Sequence, residues 1–443
     1  MTGGHIMLGY YLNLALRSFR RNRIITSLMV LALALGIGTS MTTLTVFYVL
    51  SGDPVPDKSE RLFYVQLDPA PSAGFHPGDE PPLQLTRYDA EALLREKRGQ
   101  RQAMMSGGNL AIEPDAGEQT PFLAEARFTS SDFFPMFEVP LLHGQAWSAA
   151  DDARHARVAV ISRALSQRLY GQADPVGRML PTGQGALRIV GVLGDWNPNP
   201  RFYDLTSQQY GQVEDVFVPF TTSRDLRMNP QGNLHCWGEK DTDDKEGDFG
   251  LNADCSWIQY WVELASATQA GGYRNYLSNY SAQQRAAGRY QRPPNARLYE
   301  LNDWLEYRHA MPADVRLQLW LALGFLGICV LNTMGLMLAK FLRRHGEIGV
   351  RRALGAARRD ILLQCLVEAG GIGLVGGVLG LGVALLGLWL VRLQPTEYAA
   401  LAHMDLTMLS LSFALALLSS LAAGLLPALR ATRIAPALQL KNL

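Results

Sequence analysis

No phosphate-binding loop of the form G-x-x-x-x-G-K-[ST] occurs in this chain. The only lysine followed by serine or threonine is Lys58, and Asp57 rather than a glycine-rich run precedes it. ATP hydrolysis by such a loop is therefore excluded within this sequence, because the backbone cradle for the phosphates is missing. Cysteine is scarce, with 4 in 443 residues, and no group of His, Cys, Asp and Glu has metal-ligand spacing. No acid, base and nucleophile set stands out, so the sequence does not read as an enzyme. A formal net charge of +1 gives no global attraction to nucleic acid. Charge of either sign is absent from two long runs, residues 24–50 and 317–339.

Those runs are the first sign of what is present. The chain is 48% hydrophobic and 18% charged, with the apolar residues gathered toward the two ends. Two further runs, 361–391 and 406–429, carry a single charged side chain between them, Glu368. Each of the four is long enough for a bilayer, which takes roughly 20 apolar residues. A hydrophobic core helix is the alternative for any one of them, and it fails for the set because the runs are too long and lack a polar stripe. The expected fold class is a membrane α-helical protein of four transmembrane helices plus a large extracytoplasmic α/β domain.

Arginine placement sets the orientation. Arg17, Arg20, Arg21 and Arg23 precede the first span. Lys340, Arg343, Arg344, Arg351, Arg352, Arg358 and Arg359 lie between the second and third, and Arg430, Arg433 and Lys441 follow the fourth. The loop at 392–405 has only Arg392, with Glu397 and Asp405. Both termini (1–23 and 430–443) and the loop at 340–360 are thus expected in the cytoplasm, with residues 51–316 and 392–405 outside. The first run is too long for a signal-peptide core and is read as an uncleaved span.

In the outer part, residues 62–67, 157–161, 187–192, 215–219 and 258–264 read as strands, and 86–97, 162–170 and 267–287 as helices. A mixed α/β domain of two subdomains follows. Cys236 and Cys255 fall here, where an oxidising exterior permits a disulfide worth about 3 kcal/mol; two free thiols are the alternative. Cys329 and Cys365 lie in spans and read as packing residues. The acidic run at 239–248 misses calcium-loop spacing, because Lys245 stands where a ligand is needed, and reads as a solvated loop. Trp257, Tyr260 and Trp261 read as strand packing.

The most informative segment is 343–360, RRHGEIGVRRALGAARRD, between two spans. Arg343, Glu347 and Arg351 repeat every four residues, and such pairs add about 0.3–0.5 kcal/mol each to a helix. Ile348, Val350 and Leu354 add apolar contacts, and Ala353, Ala356 and Ala357 favour helix. Such a helix fits a groove on a soluble partner. A basic segment that touches only anionic lipid is the other reading, but lipid attraction requires only positive charge, not this ordered core.

That core closely resembles the coupling segment of the MacB/FtsX-like permeases of ABC transporters. Glu347, Ile348, Gly349, Arg351, Arg352, Ala353, Leu354, Gly355 and Ala356 match it residue by residue, and Gln364 and Glu368 match the start of the family's third span. Ala357 stands where that family often has serine or threonine. Residues 130–195, including Ser130–Phe134, Val139–Gly144 and Asp174–Gly177, are similar to the MacB-type periplasmic core domain. Gln145 replaces an arginine more common there. Asn13–Arg17, Arg21–Arg23 and Pro427–Ala431 resemble the family's entry segment and tail.

The resemblance implies a bacterial inner-membrane, multi-pass, non-catalytic subunit working as two permease chains, identical or paralogous, with two ATPase subunits. ATP and Mg would be bound by a separate ATPase, whose closure pulls on residues 343–358. The spans would then move the outer domains and drive export of a substrate captured outside. A periplasmic adaptor and an outer-membrane channel are further implied partners, besides the lipid bilayer. Lipoprotein release and a sensor role stay open as alternatives. Glu368 is an intramembrane carboxylate expected to pair with Arg358, Arg359 or a neighbouring span.

Overall fold

The computed structural model describes residues 22–114, 120–207, 209–238, 246–344, 346, 348, 350, 354–393 and 406–432. Contacts divide the chain into two units: one holds both ends, through Ser51 and from Met311, and the other is Gly52–Ala310.

The unit of both ends contains four helices long and apolar enough to cross a membrane. They run Arg23–Ser51, Ala313–Leu342, Arg358–Arg392 and Leu406–Thr432, each reaching as far as or beyond its apolar run. In the first, Met29, Leu33, Ile37 and Met41 recur every four residues and are fully buried, so one face is committed to neighbouring spans. Ser40 Oγ donates to the Ala322 carbonyl at 3.0 Å, satisfying a hydroxyl that lipid could not. Small residues set the spacing of the third span. A Cβ on Gly380 would lie 3.1 Å from the Ala34 carbonyl oxygen, and one on Gly373 only 2.1 Å from Ser420 Oγ. The glycine-rich face thus packs on the first and fourth spans, whereas Gly370 and Gly382 have nothing within 4 Å.

The outer unit is built on one mixed sheet. Its strands are β1 (Leu62–Gln66), β2 (Leu85–Thr86), β3 (Arg101–Ile112), β4 (Phe122–Thr129), β5 (Leu141–Gly144), β6 (Val158–Ile161) and β7 (Met179–Leu180). Six more follow: β8 (Leu187–Leu193), β9 (Val216–Pro219), β10 (Pro230–Gln231), β11 (His235–Cys236), β12 (Cys255–Glu263) and β13 (Arg297–Glu300). The main path runs β13-β1-β12-β3-β4-β9-β6-β8-β5. β4 with β9 and β6 with β8 are parallel, while the other neighbours on the path are antiparallel.

β12 sits centrally and every residue in it is buried. Alternation divides its side chains between the two faces: Tyr260 and Val262 on one, Trp261 on the other. Helices Arg87–Glu96 and Ala267–Ala286 cover the first face through Leu93, Tyr273 and Leu277. The second is covered by Phe133, Phe202, Tyr203 and Trp304, an aromatic cluster in which Tyr64 stacks on Trp304 at 3.8 Å. Trp257, Tyr260 and Trp261 are therefore core residues. Beside this cluster lies a buried ion network. Arg127 pairs with Asp204 at 2.8 Å and with Glu214, and Arg201 reaches Glu214 at 3.0 Å.

Candidate functional site

The second span ends at Leu342, and Arg343, exposed, forms its C-cap. Beyond it the Ile348 N–H donates to the Arg344 carbonyl at 3.1 Å and Leu354 N–H to that of Val350 at 3.0 Å, the i to i−4 pattern of a helix. Gly355 has a φ of +100°, the left-handed conformation that glycine adopts without strain. The third span then starts behind Ala357, whose N–H donates to Asp360 at 3.2 Å. An alanine there offers no side-chain acceptor for the span's first amides. The serine or threonine more usual in the resembling family would supply one.

Of the sequence-derived coupling residues, Arg343, Ile348, Leu354, Gly355 and Ala356 are described. Glu347, Gly349, Arg351, Arg352 and Ala353 lie outside the described residues. Ile348 packs against the apolar core of the spans. Val350 is 51% and Leu354 83% exposed, so the described residues of this segment include an anchor, Ile348, and apolar surface facing away from it.

Beneath the segment sits Glu368, 3% exposed. Lys340 Nζ lies 2.5 Å from one of its oxygens and Arg344 Nη1 lies 3.2 Å from the other. Lys340 also donates to Thr26 Oγ1 of the first span at 3.4 Å. Three spans are thus joined at one buried carboxylate. A cavity of about 20 Å³ beside it is bounded by Phe341, Ile348, Gln364 and Cys365. Of the partners expected for Glu368, a neighbouring span is the one that reaches it, through Lys340, while Arg358 and Arg359 are exposed and form no ion pair among the described residues. Sequence reasoning offered a neighbouring span without naming Lys340 or Arg344. Their spacing of four, which puts two cations on one helix face, was the available signal.

In the outer unit Cys236 and Cys255 are joined as a disulfide between paired strands β11 and β12, with Cα atoms 4.1 Å apart. Asp248 comes near both sulfurs, but bonded sulfurs are not metal-binding thiolates. Of the acidic run, 239–245 lies outside the described residues, and Glu246 pairs with Arg87 at 2.5 Å.

The family described as MacB-like periplasmic core domain matches residues 26–277, more than half of the chain. The FtsX-like permease C-terminal family matches 320–436. Among curated relatives, the macrolide export ATP-binding/permease protein MacB of Azoarcus sp. (strain BH72) is 24% identical over 97% of this chain and 58% of its own length. The pyoverdine export ATP-binding/permease protein PvdT of Pseudomonas fluorescens is 24% identical over 94% of this chain and 56% of its own. The chain therefore spans a little over half the length of these relatives. The crystal structure of the periplasmic region of MacB from Actinobacillus actinomycetemcomitans covers 58% of this chain and 96% of that one, at 10% identity and a TM-score of 0.36.

Proposed function

The chain belongs to the MacB-type, FtsX-like family of ABC transporter permeases, and from that premise we propose that it is the transmembrane subunit of an ATP-driven exporter. In this reading an ABC ATPase subunit docks on residues 343–356 from the cytoplasm, and the four spans carry its closure to the outer domain. The observation that supports it best is the pairing of Ile348, packed into the span core, with Leu354, 83% exposed on the same segment. One end of the segment is fixed to the spans, and the other offers an apolar side chain and its neighbour Val350 to a groove. The buried Lys340–Glu368–Arg344 group supports stiff transmission, because it ties the segment's root to the third span and, through Thr26, to the first.

The proposed working unit is two permease chains, identical or paralogous, with two ATPase subunits in a bacterial inner membrane. Both termini lie in the cytoplasm and the large domain in the periplasm. Relatives are named for macrolide and pyoverdine export, and a small-molecule cargo collected outside the membrane and passed to an adaptor and outer-membrane channel is proposed here too.

Co-purification with the candidate ATPase tests the reading. The ATPase is expected with the wild type and lost with Glu347→Ala/Arg351→Ala and with Leu354→Asp. Equal recovery with all three would remove the segment as the docking element. Absence of the ATPase throughout would remove the proposed pairing.

A further inference from the structure

On the first face of the outer sheet, where β3 begins and β4 ends, lies a cavity of about 690 Å³. That is the size of a small-molecule site. Leu94, Met104 and Phe220 give it apolar wall, between helix Arg87–Glu96 and helix Phe220–Asp225.

Each carboxylate on the wall accepts a hydrogen bond, from a cation or imidazole at Glu91 and Asp225 and from neutral donors at Asp132 and Asp152. Glu91 takes Arg87 at 2.8 Å, Asp225 takes His155 Nδ1 at 2.6 Å, and Asp132 takes the Gln102 amide at 3.0 Å. Both oxygens of Asp152 are engaged, by the Ser131 amide at 2.7 Å and the Trp147 indole at 2.9 Å. Among the wall cations, Arg87 and Arg101 sit in ion pairs, with Glu91 at 2.8 Å and Glu263 at 2.7 Å. Arg224 is only 7% exposed, yet it forms no ion pair among the described residues. It donates to the Met228 carbonyl and the Ser223 hydroxyl, and its guanidinium faces Trp257 at 5.5 Å and Phe220 at 5.8 Å. Those partners offer partial charge only. Glu246, the nearest acidic influence, is held by Arg87. Burial pulls the Arg224 guanidinium down to about 10, so it still carries its charge at neutral pH. Arg95 and Lys97, exposed at the cavity's edge, likewise form no ion pair among the described residues.

A buried charge without a counter-charge is costly, and proteins keep one where something supplies the missing charge. We infer that this cavity is a binding site for an organic carboxylate on an apolar body, with Arg224 as its buried counter-charge and Arg95 and Lys97 drawing the anion in. The carboxylate would take a charge-assisted hydrogen bond from Arg224 while the apolar body lies against Leu94, Met104 and Phe220. This goes beyond the coupling role and does not depend on it, because binding is measured without any ATPase.

The test is calorimetric titration of the full chain in detergent with 1-naphthoate and with its neutral isostere 1-naphthamide. Naphthoate is expected to bind about tenfold more tightly, the worth of one charge-assisted bond. Arg224→Gln is expected to abolish that preference, whereas a purely structural arginine would weaken both probes alike. Should Arg224→Gln fail to give monodisperse protein, Arg224→Lys keeps the charge and should retain most of the preference. The exposed wall substitution Ala153→Trp should block both probes. Equal binding of the two probes to the wild type, no binding of naphthoate, a preference that survives Arg224→Gln, or indifference to Ala153→Trp would each overturn the assignment.

Discussion

Lys340 Nζ and Glu368 Oε1 stand 2.5 Å apart on neighbouring spans, and both side chains are almost fully buried. Neither charge has bulk water, so each depends on the group the two form with Arg344, 3.2 Å from the other Glu368 oxygen. Removing one leaves an uncompensated buried ion, a loss of about 3–5 kcal/mol. Glu368→Gln is therefore expected to lower the thermal midpoint of the full chain in detergent. Lys340→Met/Arg344→Met/Glu368→Met, which removes the whole charged group, should recover most of it. A triple variant no better than Glu368→Gln would show that the group is not the source of the loss.

A second prediction concerns acid. Burial opposes ionisation of Glu214 and Asp204, but Arg127 and Arg201 outweigh it and hold both carboxyls below their usual values. With the folded pKa below the unfolded one, the stabilisation is complete above the ordinary glutamate value of 4.5 and is lost as pH falls through the folded value. Tryptophan-monitored unfolding should therefore show stability falling steeply below about pH 4.5. Glu214→Gln should be less stable than the wild type at neutral pH and show a shallower acid dependence. An unchanged acid slope would remove Glu214 as its source.

Helix spacing among the spans gives a third. A Cβ at Gly373 would stand 2.1 Å from Ser420 Oγ, whereas one at Gly370 meets nothing within 4 Å. Gly373→Ala must push the third and fourth spans apart, at a cost of about 1–3 kcal/mol. Gly370→Ala, in the same helix three residues earlier, should cost nothing measurable. Size-exclusion recovery after a heat step compares them, and equal loss in both would refute the packing argument.

Much of this architecture is legible in the sequence because its signals are local. The spans are uninterrupted apolar runs, and the strands β1, β6, β8 and β9 are short apolar segments between turn residues. β3 and β4 are not legible in that way. Ser106-Gly107-Gly108-Asn109 interrupts β3, and β4 carries Arg127 in the core. Those residues are strand because neighbours on both sides supply the ladder, and Gly108 is glycine because the Phe128 ring fills the place of its Cβ at 2.3 Å. The same distinction runs through the sites. Glu368 announces itself as a lone carboxylate in an apolar run, but its cations come from a different helix. The Arg224 cavity draws on several segments separated along the chain, and nothing local marks Arg224 as different from the other arginines.

The edge of the outer sheet has a mechanical consequence. β1 follows the first span and β13 leads to the second, and the two strands are antiparallel neighbours, with Phe63 opposite Glu300 and Gln66 opposite Arg297. Both leads to the membrane therefore leave from the same end of one strand pair. The helix Leu301–Tyr307 continues from β13 and is itself anchored, with Trp304 buried and stacked on Tyr64 at 3.8 Å. Parting the two leads would have to lift that helix from the aromatic cluster before the Phe63–Glu300 rung could open, so the strand pair is guarded at the end from which its leads depart.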